Sequence, residues 1–159
     1  MELPKRKNIR LQDYDYSQNG VYFITVCVKA HEQILWENAF VGANIVRPQL
    51  SDIGRVVEKS IINISNIYDA VCVDKYVVMP NHVHMIIVID SLNNGRTMCA
   101  PTMSRIIKQC KEYVTKQIKF SIWQKSFHDH IIRNEDEYQK IWQYIDENPL
   151  KWTEDTYFI

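Results

Sequence analysis

Glycine and proline are scarce in this chain, four and five among 159 residues. That excludes a collagen-like or low-complexity disordered composition. With no glycine-rich phosphate loop, nothing indicates an ATP or nucleotide-cofactor site. Net charge is also lacking: 19 basic residues balance 19 acidic ones. This excludes a protein that coats nucleic acid through bulk charge, although it leaves room for a local basic patch. No apolar run approaches the ~20 residues of a membrane-spanning helix, and the longest, Met85 to Ile89, is strand-sized. The basic cluster Lys5-Arg6-Lys7 has no apolar segment behind it, so it is not read as a secretory signal. Four cysteines, Cys27, Cys72, Cys99 and Cys110, show no Cys-x-x-Cys spacing and read as reduced, buried thiols of a cytoplasmic protein.

What is present is an ordinary apolar fraction, 46%, enough for one domain with a real core. We read residues 1–159 as that single domain, with an N-terminal arm over 1–20 and a C-terminal tail over 149–159. Val21 to Val28 is rich in β-branched and aromatic residues on both parities and predicts a central strand. Residues 34–50 suggest a short edge hairpin. Ser51 caps a helix whose apolar stripe runs to about Asn66. Two further strands, Val71–Val78 and one opened by His82 and running to Ile89, are separated by a Pro80-Asn81 turn, and residues 90–97 read as a loop. Thr102 to Phe120 is an amphipathic helix, Ser121 to Ile132 another strand, and Asn134 to Asn148 a last helix stopped by Pro149. The order is βαββαβ plus a C-terminal helix. It predicts an α+β, ferredoxin-like antiparallel sheet with helices on one face and an added C-terminal helix.

Three features carry chemistry. His82 and His84 lie two apart on a strand and therefore project together. They read either as half of a metal site or as polar groups on a solvated face. On the last helix, with ~100° per residue, Tyr138 falls in the apolar stripe, whereas Tyr144 sits at its edge with Asn148 one turn later on the same side. A tyrosine with a pKa near ~10 needs a cation beside its target to act as a nucleophile. Tyr144 therefore reads either as an ordinary boundary tyrosine or as a nucleophile whose cation the histidine pair could hold, with the Asn148 carbonyl as a third ligand. Lastly, Arg105, Lys108, Lys111, Lys116 and Lys119 share one side of the long helix and, with the arm Lys5, Arg6 and Lys7, are candidate contacts to a nucleic-acid backbone. His128 and His130 form a second His-x-His pair, read as sheet or DNA-facing groups.

Met79-Pro80-Asn81-His82-Val83-His84 and Tyr144-Ile145-Asp146-Glu147-Asn148-Pro149 together resemble the motifs of single-tyrosine HUH transposases, in particular the REP-associated tyrosine transposase branch. The resemblance runs from about Tyr14 to Trp152 and departs after Pro149, where this chain has an acidic, aromatic tail. It implies a metal-dependent single-stranded DNA endonuclease and strand transferase acting at hairpin-forming sequences or inverted repeats. Tyr144 would be the nucleophile forming a 5′-phosphotyrosine, and His82, His84 and Asn148 would hold a divalent ion, Mg²⁺ or Mn²⁺. By ligand softness the two imidazoles suit Zn²⁺, Fe²⁺ or Mn²⁺ better than Mg²⁺, so Mn²⁺-supported activity is expected, and the metal should bind more weakly below about pH 6.5. It also admits a homodimer and no membrane partner. Two rivals follow: a hairpin DNA-binding protein of transposase origin without cleavage activity, and a small-phosphoester hydrolase that needs a carboxylate near the histidines, for which Asp129 is the candidate.

Overall fold

The computed structural model describes residues 19–37, 49–90 and 101–158. The arm, most of the 34–50 segment and the 91–97 part of the loop therefore lie outside the described residues, as does Cys99. In chain order the elements are β1 (Gly20–Cys27), α1 (Asp52–Ile67), β2 (Val71–Val78), β3 (His82–Ile89), α2 (Met103–Ile118), β4 (His128–Ile132) and α3 (Glu135–Glu147). Short 3₁₀ turns follow β1 at Lys29–His31 and α3 at Asn148–Glu154. The strands form one antiparallel sheet in the order β2-β3-β1-β4. This is the ferredoxin-like plan expected from the sequence.

The pleat sorts each strand onto two faces. Val83, Met85, Ile87 and Ile89 join Tyr22, Ile24 and Val26 in the main core, under Val57, Ile61 and Ile64 of α1 and Ile106, Ile107 and Val114 of α2. His82, His84 and Ile86 point the other way, and there α3 packs, with Ile145 against Ile86 and Ile132. Helices α1 and α2 thus cover one face, and α3 is the added helix on the other. Each is capped as its sequence suggests: Ser51, Thr102 and Asn134 side chains accept from Gly54 N, Arg105 N and Glu137 N. Gly54 is required for a different reason. A Cβ there would stand 2.0 Å from the Leu35 carbonyl oxygen, so only glycine lets α1 approach the loop after β1.

Ile145 is the one fully buried residue of α3, which at ~1.5–3 kcal/mol is a modest anchor. Polar contacts to the edge strand share the task. A bulge between Val73 and Lys75 lets both Asp74 and Lys75 serve α3. The Tyr138 hydroxyl donates to Asp74, and the Lys75 ammonium lies 2.5 Å from Asp146 and 3.6 Å from the Trp142 ring centre. Tyr138, half-buried and packed against Ile86 and Ile145, is the structural tyrosine that its angular position implies.

Two readings are corrected. The strand expected from Ser121 begins only at His128; before it, Trp123 makes an isolated bridge to Val28. The intervening carbonyls of Gln124 and Ser126 are taken by the Lys111 ammonium, at 2.9 and 2.8 Å, instead of by a ladder. Cys72 is exposed on β2, not buried. Cys27 is buried and Cys110 half-buried; both are free thiols, pushed up to about 11 by burial and so protonated. The tail folds back, with Trp152 buried against Trp36 and Met79.

Candidate active site

The Met79–Asn81 turn delivers β3 with both imidazoles already committed. Asn81 is wholly buried, and its amide nitrogen donates to the carbonyls of His31 and Tyr157 at 3.2 and 2.8 Å. Its oxygen therefore faces His82 Nδ1, 2.8 Å away. An acceptor in that place makes His82 Nδ1 the protonated nitrogen and leaves Nε2 a bare lone pair. His84 is held by Thr25 of β1, its cross-strand partner, whose Oγ1 lies 2.7 Å from Nδ1. The two Nε2 atoms converge at 3.0 Å. His82 is 0% and His84 1% exposed. Burial, then the nearby His31 ring, pushes His82 down to about 3. Burial, then His82, pushes His84 well below its ordinary value, against an upward pull from Asp155. Both are neutral ligand-type imidazoles at any ordinary pH.

Helix α3 brings the second half. Tyr144, 42% exposed, has its hydroxyl 3.3 Å from His84 Nε2 although the residues are sixty apart in sequence. Its ring stands edge-on to Phe23. Asn148 is 3% exposed and its side chain hydrogen-bonds to the Tyr144 oxygen in the sense that lowers the phenol's pKa, so Asn148 is the donor. That leaves Asn148 Oδ1 buried without a partner. A buried amide oxygen without a partner is free to accept a cation. Burial, then the charge of Asp155, outweighs Asn148 and pushes the Tyr144 phenol up to about 12.

Asp155 is the residue the sequence reading missed. Its side chain is 1% exposed, with Oδ2 4.0 Å from His82 Nε2 and 3.5 Å from the Tyr144 hydroxyl. The ligand atoms of His82, His84 and Asp155 all lie within 4.8 Å of one another, so the three can hold a metal ion. Two imidazoles, a carboxylate and an amide oxygen suit Mn²⁺, Fe²⁺ or Zn²⁺. The Tyr157 ring covers this cluster, 4.5 Å from that of His82. The only sequence signal was the acidic, aromatic character of the tail.

Other candidates are placed elsewhere. Asp129 pairs with Ile24 and so faces the α1–α2 side, away from the histidines. The carboxylate the hydrolase reading requires is thus not Asp129. His128 and His130 share the site's face, but His130 is paired with Glu137 at 2.6 Å. Arg105, Lys108, Lys116 and Lys119 are exposed on α2, across the sheet from the site. Lys108 lies 3.8 Å from Glu112. Lys111 is half-buried in the carbonyl contacts described above and is not a free surface cation. Lys5, Arg6 and Lys7 lie outside the described residues.

No family model matches the chain. It is 31% identical to an uncharacterized protein of Haemophilus influenzae, the match covering 97% of this chain and 93% of that protein. Among solved structures it is similar to a REP-associated tyrosine transposase bound to a REP hairpin. That likeness has a TM-score of 0.64 at 22% identity, covering 96% of this chain and 74% of the other. It is also similar to a candidate transposase from Deinococcus radiodurans, with a TM-score of 0.51 at 15% identity, covering 87% of this chain and 95% of the other. Among the described residues no helix is long and apolar enough to cross a membrane.

Proposed function

From a chain that belongs to one family with the Haemophilus influenzae protein and has the fold of the REP-associated tyrosine transposase, we propose a metal-dependent single-stranded DNA endonuclease and strand transferase. The likeness in fold supports the resemblance of the His82 and Tyr144 motifs to single-tyrosine HUH transposases. The observation that carries the reading is the approach of the Tyr144 hydroxyl to within 3.3 Å of His84 Nε2. A small-phosphoester hydrolase would have no use for that phenol, and a DNA-binding remnant would have no need of the converging imidazoles.

In this reading His82, His84 and Asn148, with Asp155 beside them, hold a divalent cation, Mn²⁺ or Mg²⁺. When bound, the cation supplies the positive charge that polarises the scissile phosphate and favours the phenolate. Tyr144 needs that help, because burial and Asp155 make its proton hard to remove. Asn148 donates to the phenol oxygen, which orients a lone pair and stabilises its negative charge. Tyr144 Oη attacks phosphorus in line, the P–O3′ bond breaks, and a 5′-phosphotyrosine and a free 3′-hydroxyl result. Attack by a 3′-hydroxyl on the same phosphorus reverses the step and joins strands. The partner proposed is a single strand that folds into a hairpin, with Arg105, Lys108, Lys116 and Lys119, across the sheet from Tyr144, and the arm contacting its backbone away from the cleaved phosphate.

The test is direct. Hairpin-bearing single-stranded DNA with Mn²⁺ should give a protein–DNA adduct that survives denaturant, and Tyr144→Phe should abolish it. An adduct persisting in Tyr144→Phe would remove the tyrosine from the chemistry.

A further inference from the structure

Beside Tyr144 lies a cavity of about 330 Å³, open to solvent, bounded along α3 from Lys140 through Tyr144 to Asn148 and beyond the helix by Lys151, Glu154 and Asp155. Two cations border it, and their situations differ. Lys151 lies 2.5 Å from Glu147, and that pair is reinforced by Glu154. Its charge is already balanced. Asp155 is turned toward His82 and Tyr144. Lys140 is exposed and has no carboxylate partner among the described residues. It stands one helical turn before the nucleophile on the same side of α3, where i and i+4 side chains are ~5–6 Å apart at Cβ.

We propose that Lys140 binds the phosphodiester immediately 3′ of the phosphate attacked by Tyr144, the cavity holding the nucleotide between them. The inference rests on the reading of Tyr144 as a nucleophile toward single-stranded DNA. That chemistry leaves the tyrosine joined to a 5′-phosphate, so the strand retained by the protein runs away from Tyr144 in the 3′ direction. One sugar and base must be housed before its next phosphate. The cavity is at the small end of ligand pockets, about ~300 Å³ and upward, which suits one nucleotide and not several. An ammonium is a compact point charge suited to a phosphate. Lys140 offers the unbalanced one, a turn from the reacting atom. Its contact keeps the covalently held strand in register while the departed 3′ end is exchanged.

The test uses the full chain in the non-cleaving Tyr144→Phe background with Mn²⁺ and a hairpin-bearing single strand, measuring affinity across a salt series. Lys140→Ala should reduce the slope of log K against log[salt] by ~0.7, the value of one single-strand phosphate contact. Lys140→Arg should restore it. Lys59→Ala, an exposed lysine on α1 across the sheet, should leave it unchanged. A methylphosphonate at the phosphate 3′ of the cleavage site should lower the slope equally and make Lys140→Ala without further effect. An unchanged slope in Lys140→Ala, or additive losses with the methylphosphonate, overturns the proposal. A parent that binds no hairpin strand at all overturns the nuclease reading itself.

Discussion

The Asn81 side chain fixes which nitrogen of His82 is free. Both protons of its amide nitrogen are used by backbone carbonyls, of His31 and of Tyr157, so only its oxygen is left for His82 Nδ1 at 2.8 Å. One side chain thereby joins the loop after β1, the tail and the His82 imidazole.

Asn81→Ala should therefore weaken Mn²⁺ binding by ~10–100-fold, the usual cost of removing a residue that orients a metal-ligating histidine. Mn²⁺ titration followed by electron paramagnetic resonance checks it. Asn81→Asp keeps an acceptor for His82 but loses the two donated bonds, so it should recover part of the affinity while loosening the tail. Affinity in Asn81→Ala equal to that of the parent would mean that Asn81 serves only the turn.

The seat of α3 makes a second prediction. Lys75 gives up both its pairing with Asp146 and its place over Trp142 in Lys75→Ala. Exposed ion pairs contribute ~0.2–1 kcal/mol and an exposed cation–π contact ~0.5–1 kcal/mol. The loss should be about 1 kcal/mol in urea unfolding. Tyr138→Phe should likewise slow adduct formation only modestly, since its hydroxyl holds Asp74 and touches no reacting group. Abolition of the adduct by Tyr138→Phe would reverse the assignment of the two tyrosines.

The pH dependence follows from the imidazoles. His82 has a folded pKa pushed down to about 3, against about 6.5 when unfolded. The unfolded chain then binds more protons than the folded one between these values. Stability from neutral His82 is fully present above pH 6.5 and is lost as pH falls from there toward 3, at up to ~1.4 kcal/mol per pH unit. His84 acts in the same direction. Urea unfolding of the metal-free protein at pH 7, 6 and 5 should show decreasing stability, and His82→Gln should flatten the trend. The sequence alone suggested weaker metal binding already below pH 6.5. With both imidazoles buried and neutral, protonation competes with the metal only at more acid pH.

How much of this was legible depended on the range of the contacts involved. His82 with His84 and Tyr144 with Asn148 are set by local periodicities, two residues on a strand and four on a helix, so spacing revealed each pair. Thr25 reaches His84 only through the register of β1 against β3, and that register is decided by the whole core. Asp155 and Tyr157 enter the site because the tail turns back after Trp152 is buried, an event without periodicity. Lys111 failed differently: helical phase put it with the exposed cations, but its stem is long enough to reach the Gln124 and Ser126 carbonyls.

Asp155 poses the last question, since one carboxylate oxygen stands near both His82 and the Tyr144 hydroxyl. As proton acceptor for Tyr144 it is badly placed: 3.5 Å exceeds the ~2.5–3.0 Å of an effective O–H···O bond, and its charge raises the phenol's pKa. As a ligand it is well placed, buried with His82 and His84 and within 4.8 Å of both. Asp155→Asn should therefore lower Mn²⁺ affinity tenfold or more while leaving the adduct-forming rate at saturating Mn²⁺ no slower than the parent's. Removing the negative charge should ease ionisation of Tyr144 once the cation is supplied in excess. A rate that stays depressed at saturating Mn²⁺ would instead make Asp155 the group that takes the tyrosine's proton.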